Sequence, residues 1–324
     1  MNVDLVNTKV LLLGYTGYIG TTLAKVLLEE KVQIICPIRN KKNLEKKKNI
    51  VFVDISQIES FLETLSVKPT TIISCIASRR GGITDSWNVE YSLNKFFLDL
   101  SIRVGIKRFI LISAICVQKP TLEFQKAKLA FEDLLQNSSL EYEIIRPTAF
   151  FKSLSGQIDR VKKGKSFLIF GNGELTSCKP ISARDLSKFI IPLVTRSQSE
   201  NKIHIIGGPG PPISPKRQAE LLFELCKKEK KITHISPKLF LVITYALIPL
   251  SIVSKKIRDF REFLKIAYYY ATESMLFWDE KIGSYSSNKT PEYGNESLEE
   301  YYKKILKSDV AVSYTHLRAH ETST

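Results

Sequence analysis

The chain has 324 residues, 44% hydrophobic and 25% charged, with 15 Gly and 13 Pro. Those shares exclude a disordered, collagen-like or disulfide-scaffold chain and suit a soluble globular protein of about two domains. The formal charge is +15, yet only 13 of the 48 basic residues are Arg. No zinc-finger, RNA-binding or helix-turn-helix signature accompanies it, so solvated lysines are favoured over a nucleic-acid partner.

In chain order, KVLLLG (Lys9–Gly14), VQIICPI (Val32–Ile38), IVFVD (Ile50–Asp54), TIISCIA (Thr71–Ala77), RFILISA (Arg108–Ala114) and YEIIRP (Tyr142–Pro147) read as strands. They are apolar on both faces, as parallel strands covered by helices are. Between them, residues 18–30, 57–65, 87–104 and 124–136 read as helices, with Ile19, Leu23, Val26 and Leu27 facing a sheet. The succession predicts an α/β fold, a Rossmann-type doubly wound parallel sheet with a smaller, mostly helical C-terminal substrate lobe. The expected division is 7–155 for the dinucleotide domain and 156–307 for the lobe. Residues 178–208 return to the sheet, through a helix capped near Ser182 and a strand at Lys202–Gly208.

Leu239–Val253 is a 15-residue apolar run broken by Pro249, too short to span a bilayer. In the segment after it, Ile257, Phe260, Phe263, Leu264 and Ala267 form one face of a basic amphipathic helix. Burial of both segments over the active-site cleft is preferred to peripheral membrane association. Ser313–Thr324 resembles a translated adaptor or fusion scar and is set aside, which leaves His204 and His234. Five cysteines without a CxxC pair make a metal site unexpected. Their odd number and the lack of a signal peptide favour reduced thiols inside a cell. About eight residues precede the first strand, which leaves no room for a transit peptide.

Gly14, Tyr15, Thr16, Gly17, Tyr18, Ile19 and Gly20 link the first strand to the first helix as a GxxGxxG loop. Glycine there permits the tight turn and close backbone approach to a pyrophosphate, which the helix N-terminus then stabilises. At the end of the second strand, where a carboxylate would bind the ribose of NAD, Arg39 stands instead, followed by Lys41 and Lys42. Arg39 suits the 2′-phosphate of NADPH. Asp54 is placed either to meet the adenine or to cap its own strand end.

Ordinary short-chain reductases pair a Ser after the fifth strand with Tyr-x-x-x-Lys on the next helix; the Tyr donates a proton to a carbonyl oxygen. Here Ser113 is present, but the pair reads Phe124 and Lys128. Alcohol–ketone chemistry is therefore disfavoured. Hydride delivery to a carbon–carbon double bond, or cofactor binding without turnover, remains.

CIASRRGGITDSW (Cys75–Trp87), LISAICVQKPTLEFQKAKLAFE (Leu111–Glu132), IIRPTAFFKSLSGQI (Ile144–Ile158), CKPISARDL (Cys178–Leu186), IGGPGPPISP (Ile206–Pro215), YYATESMLFWD (Tyr269–Asp279) and TPEYGNESLEEYY (Thr290–Tyr302) carry a more specific likeness. Over residues 9–305 the chain resembles the NADPH-dependent divinyl chlorophyllide a 8-vinyl-reductases, atypical NmrA-like short-chain reductases that share the Phe-x-x-x-Lys departure. The resemblance implies reduction of the C8 vinyl group of a magnesium tetrapyrrole to ethyl in chlorophyll biosynthesis. It also implies a photosynthetic setting, the cytoplasm of a bacterium or the stroma or thylakoid surface of a plastid. Ala77, Ser78 and Pro147 join the glycine loop, Arg39, Asp54 and Lys128 as expected cofactor contacts, with Lys128 and Ser113 catalytic. Arg79, Arg80, Phe150, Phe151, Tyr269 and Tyr270 are candidates to meet the pigment. The proton donor stays open among Tyr269, Tyr270, Cys178 and water. The runners-up are an NADP(H)-sensing regulator and another double-bond reductase.

Overall fold

The computed structural model describes residues 8–39, 48–78 and 81–307. Strands β1 (Lys9–Leu13), β2 (Gln33–Ile38), β3 (Ile50–Asp54), β4 (Thr71–Ser74), β5 (Arg108–Ile112) and β6 (Glu141–Pro147) are joined later by β8 (Lys202–Ile206), after the short β7 (Phe167–Phe170). The seven-stranded sheet runs β3-β2-β1-β4-β5-β6-β8, and every pairing in it is parallel. Strand order reverses between β1 and β4, so their carboxyl ends open the crevice in which such sheets bind ligands.

Strand alternation divides the core into two layers. Val10, Leu12, Ile34, Ile73, Ile110 and Ile145 pack with Leu23 and Leu27 of α1 (Tyr18–Glu29) and with Leu186 and Ile190 of α7 (Ala183–Thr195). Leu11, Leu13, Ile35, Ile72, Phe109 and Ile144 face the opposite way. They meet Leu62 of α2 (Ile58–Thr64), Phe97 of α4 (Leu93–Val104) and Phe131 of α5 (Glu123–Gln136). As the Ser182 pattern predicts, the Ser182 hydroxyl caps α7 by accepting the Asp185 amide at 2.9 Å. The helix expected from Trp87 starts four residues earlier, as α3 (Ile83–Ser86), and passes through a π-helical turn at Trp87–Ser92 before α4. Such turns insert a residue and re-aim side chains; here the turn contains the buried Glu90.

The lobe is not helical throughout. Helices α6 (Ile158–Lys162) and α8 (Pro215–Cys226) and a helix over residues 298–307 enclose Phe151, Val161, Phe167, Leu222 and Tyr302. With them lies a parallel pair of β7 with β9 (Ile232–Ile235). Each of these strands has four residues and its partner lies more than 60 positions away, so no local pattern announces them. Helices α9 (Lys238–Ala246), α10 (Ile248–Val253) and α11 (Lys255–Thr272) follow, then the hairpin of β10 (Phe277–Asp279) and β11 (Ser284–Ser286). The expectation that Leu239–Val253 is buried fails: only Thr244 of α9 and Ser251 of α10 are buried.

At the β6–β8 edge, the fully buried Glu143 carboxylate meets His204 Nε2 at 2.6 Å, the Ser199 hydroxyl at 2.8 Å, the Glu200 amide at 3.0 Å and Arg196 at 3.3 Å. Burial raises its pKa, but these donors outweigh burial and bring it from 4.5 to about 2. A depressed carboxyl stabilises the fold above its unfolded pKa, and that stability is lost as pH falls through the folded value. Melting temperature is therefore expected to fall between about pH 4.5 and 2, with a shallower acid limb in Glu143→Gln. An unchanged limb in the variant would remove Glu143 from the account.

Candidate active site at the carboxyl edge of the sheet

The glycine loop is shaped by contacts that only glycine permits. Gly14 has φ +78°, and a Cβ there would lie 2.7 Å from the Cys75 carbonyl oxygen. A Cβ on Gly20 would lie 2.2 Å from the Gly14 carbonyl oxygen. The Gly17 amide closes the turn on Gly14 at 2.9 Å, and no side chain caps α1. The first-turn amides of Tyr18, Ile19 and Gly20 thus remain available to an anion. The residues present fit a dinucleotide pyrophosphate.

Around this loop, Tyr15 packs edge-on to Phe52 at 5.0 Å, and Thr16 is exposed. Arg39 directly follows β2, is exposed and, among the described residues, makes no ion pair. Asp54 caps its own strand end, accepting the Ser56 amide at 2.9 Å and the Ser56 hydroxyl at 2.6 Å. Lys41, Lys42, Arg79, Arg80 and the tail at 313–324 lie outside the described residues.

Polar residues of α5 point into the sheet edge. The Lys128 ammonium donates to Glu90 Oε2 at 2.8 Å, with side chains 10% and 3% exposed. Glu90 Oε1 accepts the Ser78 amide at 2.7 Å, tying the loop after β4 to the same pair. The Ser113 hydroxyl donates to Glu132, whose carboxylate also holds Arg146, so its proton is already engaged. Gln125 accepts the Thr121 and Leu122 amides and donates to the Cys116 carbonyl at 2.8 Å. Phe124, in the position of the missing tyrosine, packs in an apolar cluster with Cys116, Tyr269 and Met275.

A cavity of about 500 Å³ opens here, lined among others by Ser113, Cys116, Pro147, Phe150, Cys178 and Tyr270. Its far wall is α11, brought close by two glycines of the loop after β4. Added Cβ atoms at Gly81 and Gly82 would sit 2.3 Å from Ile266 and 2.9 Å from Asp259. The Tyr270 hydroxyl reaches within 3.9 Å of Cys116 Sγ, and burial pushes its pKa well above the usual value of 10. Burial likewise pushes the Cys178 thiol up to about 12, which keeps it neutral.

Two candidate substrate residues are turned elsewhere. Tyr269 is 4% exposed and donates its hydroxyl to the Cys116 carbonyl at 3.0 Å, fixing α11 to the strand end. Phe151 is 1% exposed and packs on Tyr301 in the lobe core, because the chain turns between it and the cavity-lining Phe150. Glu90, Glu132 and Gln125 escape the reading of the sequence. Their one local signal is that Gln125, Lys128 and Glu132 share helical spacing with the buried Ala127, Phe131 and Leu135.

The sheet order and the glycine cradle define a nicotinamide-dinucleotide protein of the Rossmann class, and the NAD(P)H-binding family model matches residues 14–196. The divinyl chlorophyllide a 8-vinyl-reductase, chloroplastic, of Arabidopsis thaliana is 39% identical over 93% of this chain and 78% of its own length. Its counterpart from Cucumis sativus is 40% identical over 94% and 78%. The chain belongs to the divinyl chlorophyllide a 8-vinyl-reductase family. At the level of fold it is similar to a UDP-glucose 4-epimerase from Thermotoga maritima, with TM-score 0.65, 17% identity, and coverage of 91% and 96% of the two chains.

Proposed function

We propose that this chain reduces the C8 vinyl group of 3,8-divinyl chlorophyllide or protochlorophyllide to ethyl with NADPH, in a chloroplast or an equivalent photosynthetic compartment. Family membership names the reaction class. The observation that carries it to this site is the cavity, walled by the β5 and β6 ends on one side and α11 on the other. A regulator that only senses the cofactor needs no such volume beside it.

When bound, NADPH supplies a hydride to the terminal vinyl carbon, and the negative charge left on the substrate is spread over its macrocycle. No alkoxide forms, which accounts for Phe124 in place of a tyrosine. Lys128, anchored by Glu90, has further ammonium protons to donate to a ribose. Arg39 at the end of β2 suits the 2′-phosphate of NADPH over NADH. Phe150 offers a flat apolar wall. The proton for the inner vinyl carbon comes from the cavity-lining Tyr270 hydroxyl, and water entering the open cavity reprotonates the phenolate.

Incubation with NADPH and 3,8-divinyl chlorophyllide, followed by the Soret shift and product chromatography, tests the reaction. The expected product is the 8-ethyl pigment; tight NADPH binding without conversion overturns the proposal. With NADPH deuterated at the transferred position, label is expected on the terminal carbon, and label on the inner carbon contradicts the assigned order. Tyr270→Phe is expected to slow turnover about 10²–10⁴-fold with NADPH affinity unchanged. A variant that keeps full turnover removes Tyr270 as donor.

A further inference from the structure

Helices α9 and α10 are built inside out. The residue that each buries is polar, Thr244 and Ser251, both 5% exposed. Val242 (64% exposed), Tyr245 (66%), Ile252 (77%) and Val253 (85%) face outward. An amphipathic helix on a soluble surface has the opposite polarity. The cause is Arg261 of α11, which donates to the Thr244 carbonyl at 3.0 Å and to the Ser251 hydroxyl at 2.6 Å. With this polar cluster on the inner face, Val242, Tyr245, Ile252 and Val253 are left outside, while Phe240 packs on Phe170 of β7. On α11 itself, Phe260 and Phe263 stack at 6.3 Å and are each about half exposed. Exposed apolar side chains concentrated on neighbouring helices in this way mark a binding face.

The surrounding charge selects the occupant. Between residues 232 and 258 stand Lys238, Lys255, Lys256 and Arg258 and no acidic residue. All four are exposed and, among the described residues, form no ion pair. The next acid, Asp259, is directed at Gly82 in the loop after β4. We propose that α9, α10 and the first half of α11 form a membrane-docking surface for an anionic bilayer. The apolar side chains would lie among the headgroups and upper acyl chains, and the lysines would pair with lipid phosphates. A second copy fits less well, because a two-fold contact would press two basic rims together. Among the described residues no helix is long and apolar enough to cross a membrane, so the mode is lying on the surface.

The same helix carries the docking residue Phe263 and, about 10 Å further along its axis, the cavity-lining Tyr270. Docking therefore brings the cavity wall close to the lipid, a short route for a lipophilic macrocycle. That consequence rests on the proposed substrate; the docking itself does not.

Flotation of the full chain with vesicles of phosphatidylcholine alone, or mixed with phosphatidylglycerol, tests the assignment without any turnover. The chain is expected to float with the mixed vesicles, far less with the neutral ones, and less at high salt. The double variant Ile252→Asp/Val253→Asp is expected to weaken vesicle binding about tenfold or more with NADPH affinity and melting temperature unchanged. Lys255→Glu/Lys256→Glu is expected to remove the preference for anionic lipid. A wild-type chain that floats with neither vesicle overturns the proposal. So does a dimer that the aspartate variant converts to monomer in the absence of vesicle binding, since that gives the face to a second copy.

Discussion

Gly20→Ala is expected to abolish useful NADPH binding while the sheet remains folded. The added methyl would lie 2.2 Å from the Gly14 carbonyl oxygen and 2.7 Å from its carbon, both backbone atoms that no rotamer change can move. Relief requires the loop to lift from α1, which pulls the first-turn amides out of register with the turn closed at 2.9 Å by Gly17. Two charge-assisted hydrogen bonds to the pyrophosphate, at about 1.5–3 kcal/mol each, correspond to a loss of roughly 10²–10⁴ in affinity. Gly164→Ala is the control. Its site also has positive φ, +69°, but no atom lies within 4 Å of the added Cβ. It should cost about 1 kcal/mol of stability and leave NADPH binding intact. Fluorescence titration and thermal melts on both variants decide the matter; a Gly20→Ala protein that binds NADPH as well as wild type would disprove the loop assignment.

The second large effect concerns Lys128. Its removal leaves the Glu90 carboxylate buried, with the Ser78 amide as its remaining partner. Lys128→Ala should therefore lose about 3–5 kcal/mol of stability, the usual cost of breaking one side of a buried pair. Stability loss alone says nothing of catalysis, so the double variant Lys128→Met/Glu90→Gln is the informative one. With both charges gone it is expected to regain most of the stability and to keep weak NADPH binding, because the ribose partner is missing. Urea denaturation and NADPH titration run side by side distinguish the outcomes. If NADPH affinity returns together with stability, Lys128 serves the fold and not the cofactor.

Much of the dinucleotide domain is readable from one dimension. Strand β3 has the bounds expected for it, and β1, β2, β5 and β6 agree within two residues. Parallel strands covered on both faces must be apolar at every position, and that continuity survives in the linear chain. The glycine loop is equally local, since its contacts join residues six apart or the ends of neighbouring strands. Misreadings fall where a role depends on a distant partner. Phe150 and Phe151 are identical as letters, yet one lines the cavity and the other fills the lobe core. Tyr269 and Tyr270 divide in the same way.

The sequence by itself determined the doubly wound sheet, the phosphate loop, the absence of the reductase tyrosine and the family, because each is written in contiguous residues. Tertiary structure alone decided that Lys128 is held by Glu90, 38 positions away, and that Tyr270 meets Cys116 across 154 positions. It also decided that α9 and α10 turn their apolar sides outward, which depends on Arg261 occupying the space beneath them. A helix pattern specifies which side chains share a face, whereas the direction of that face is set by whatever packs against it.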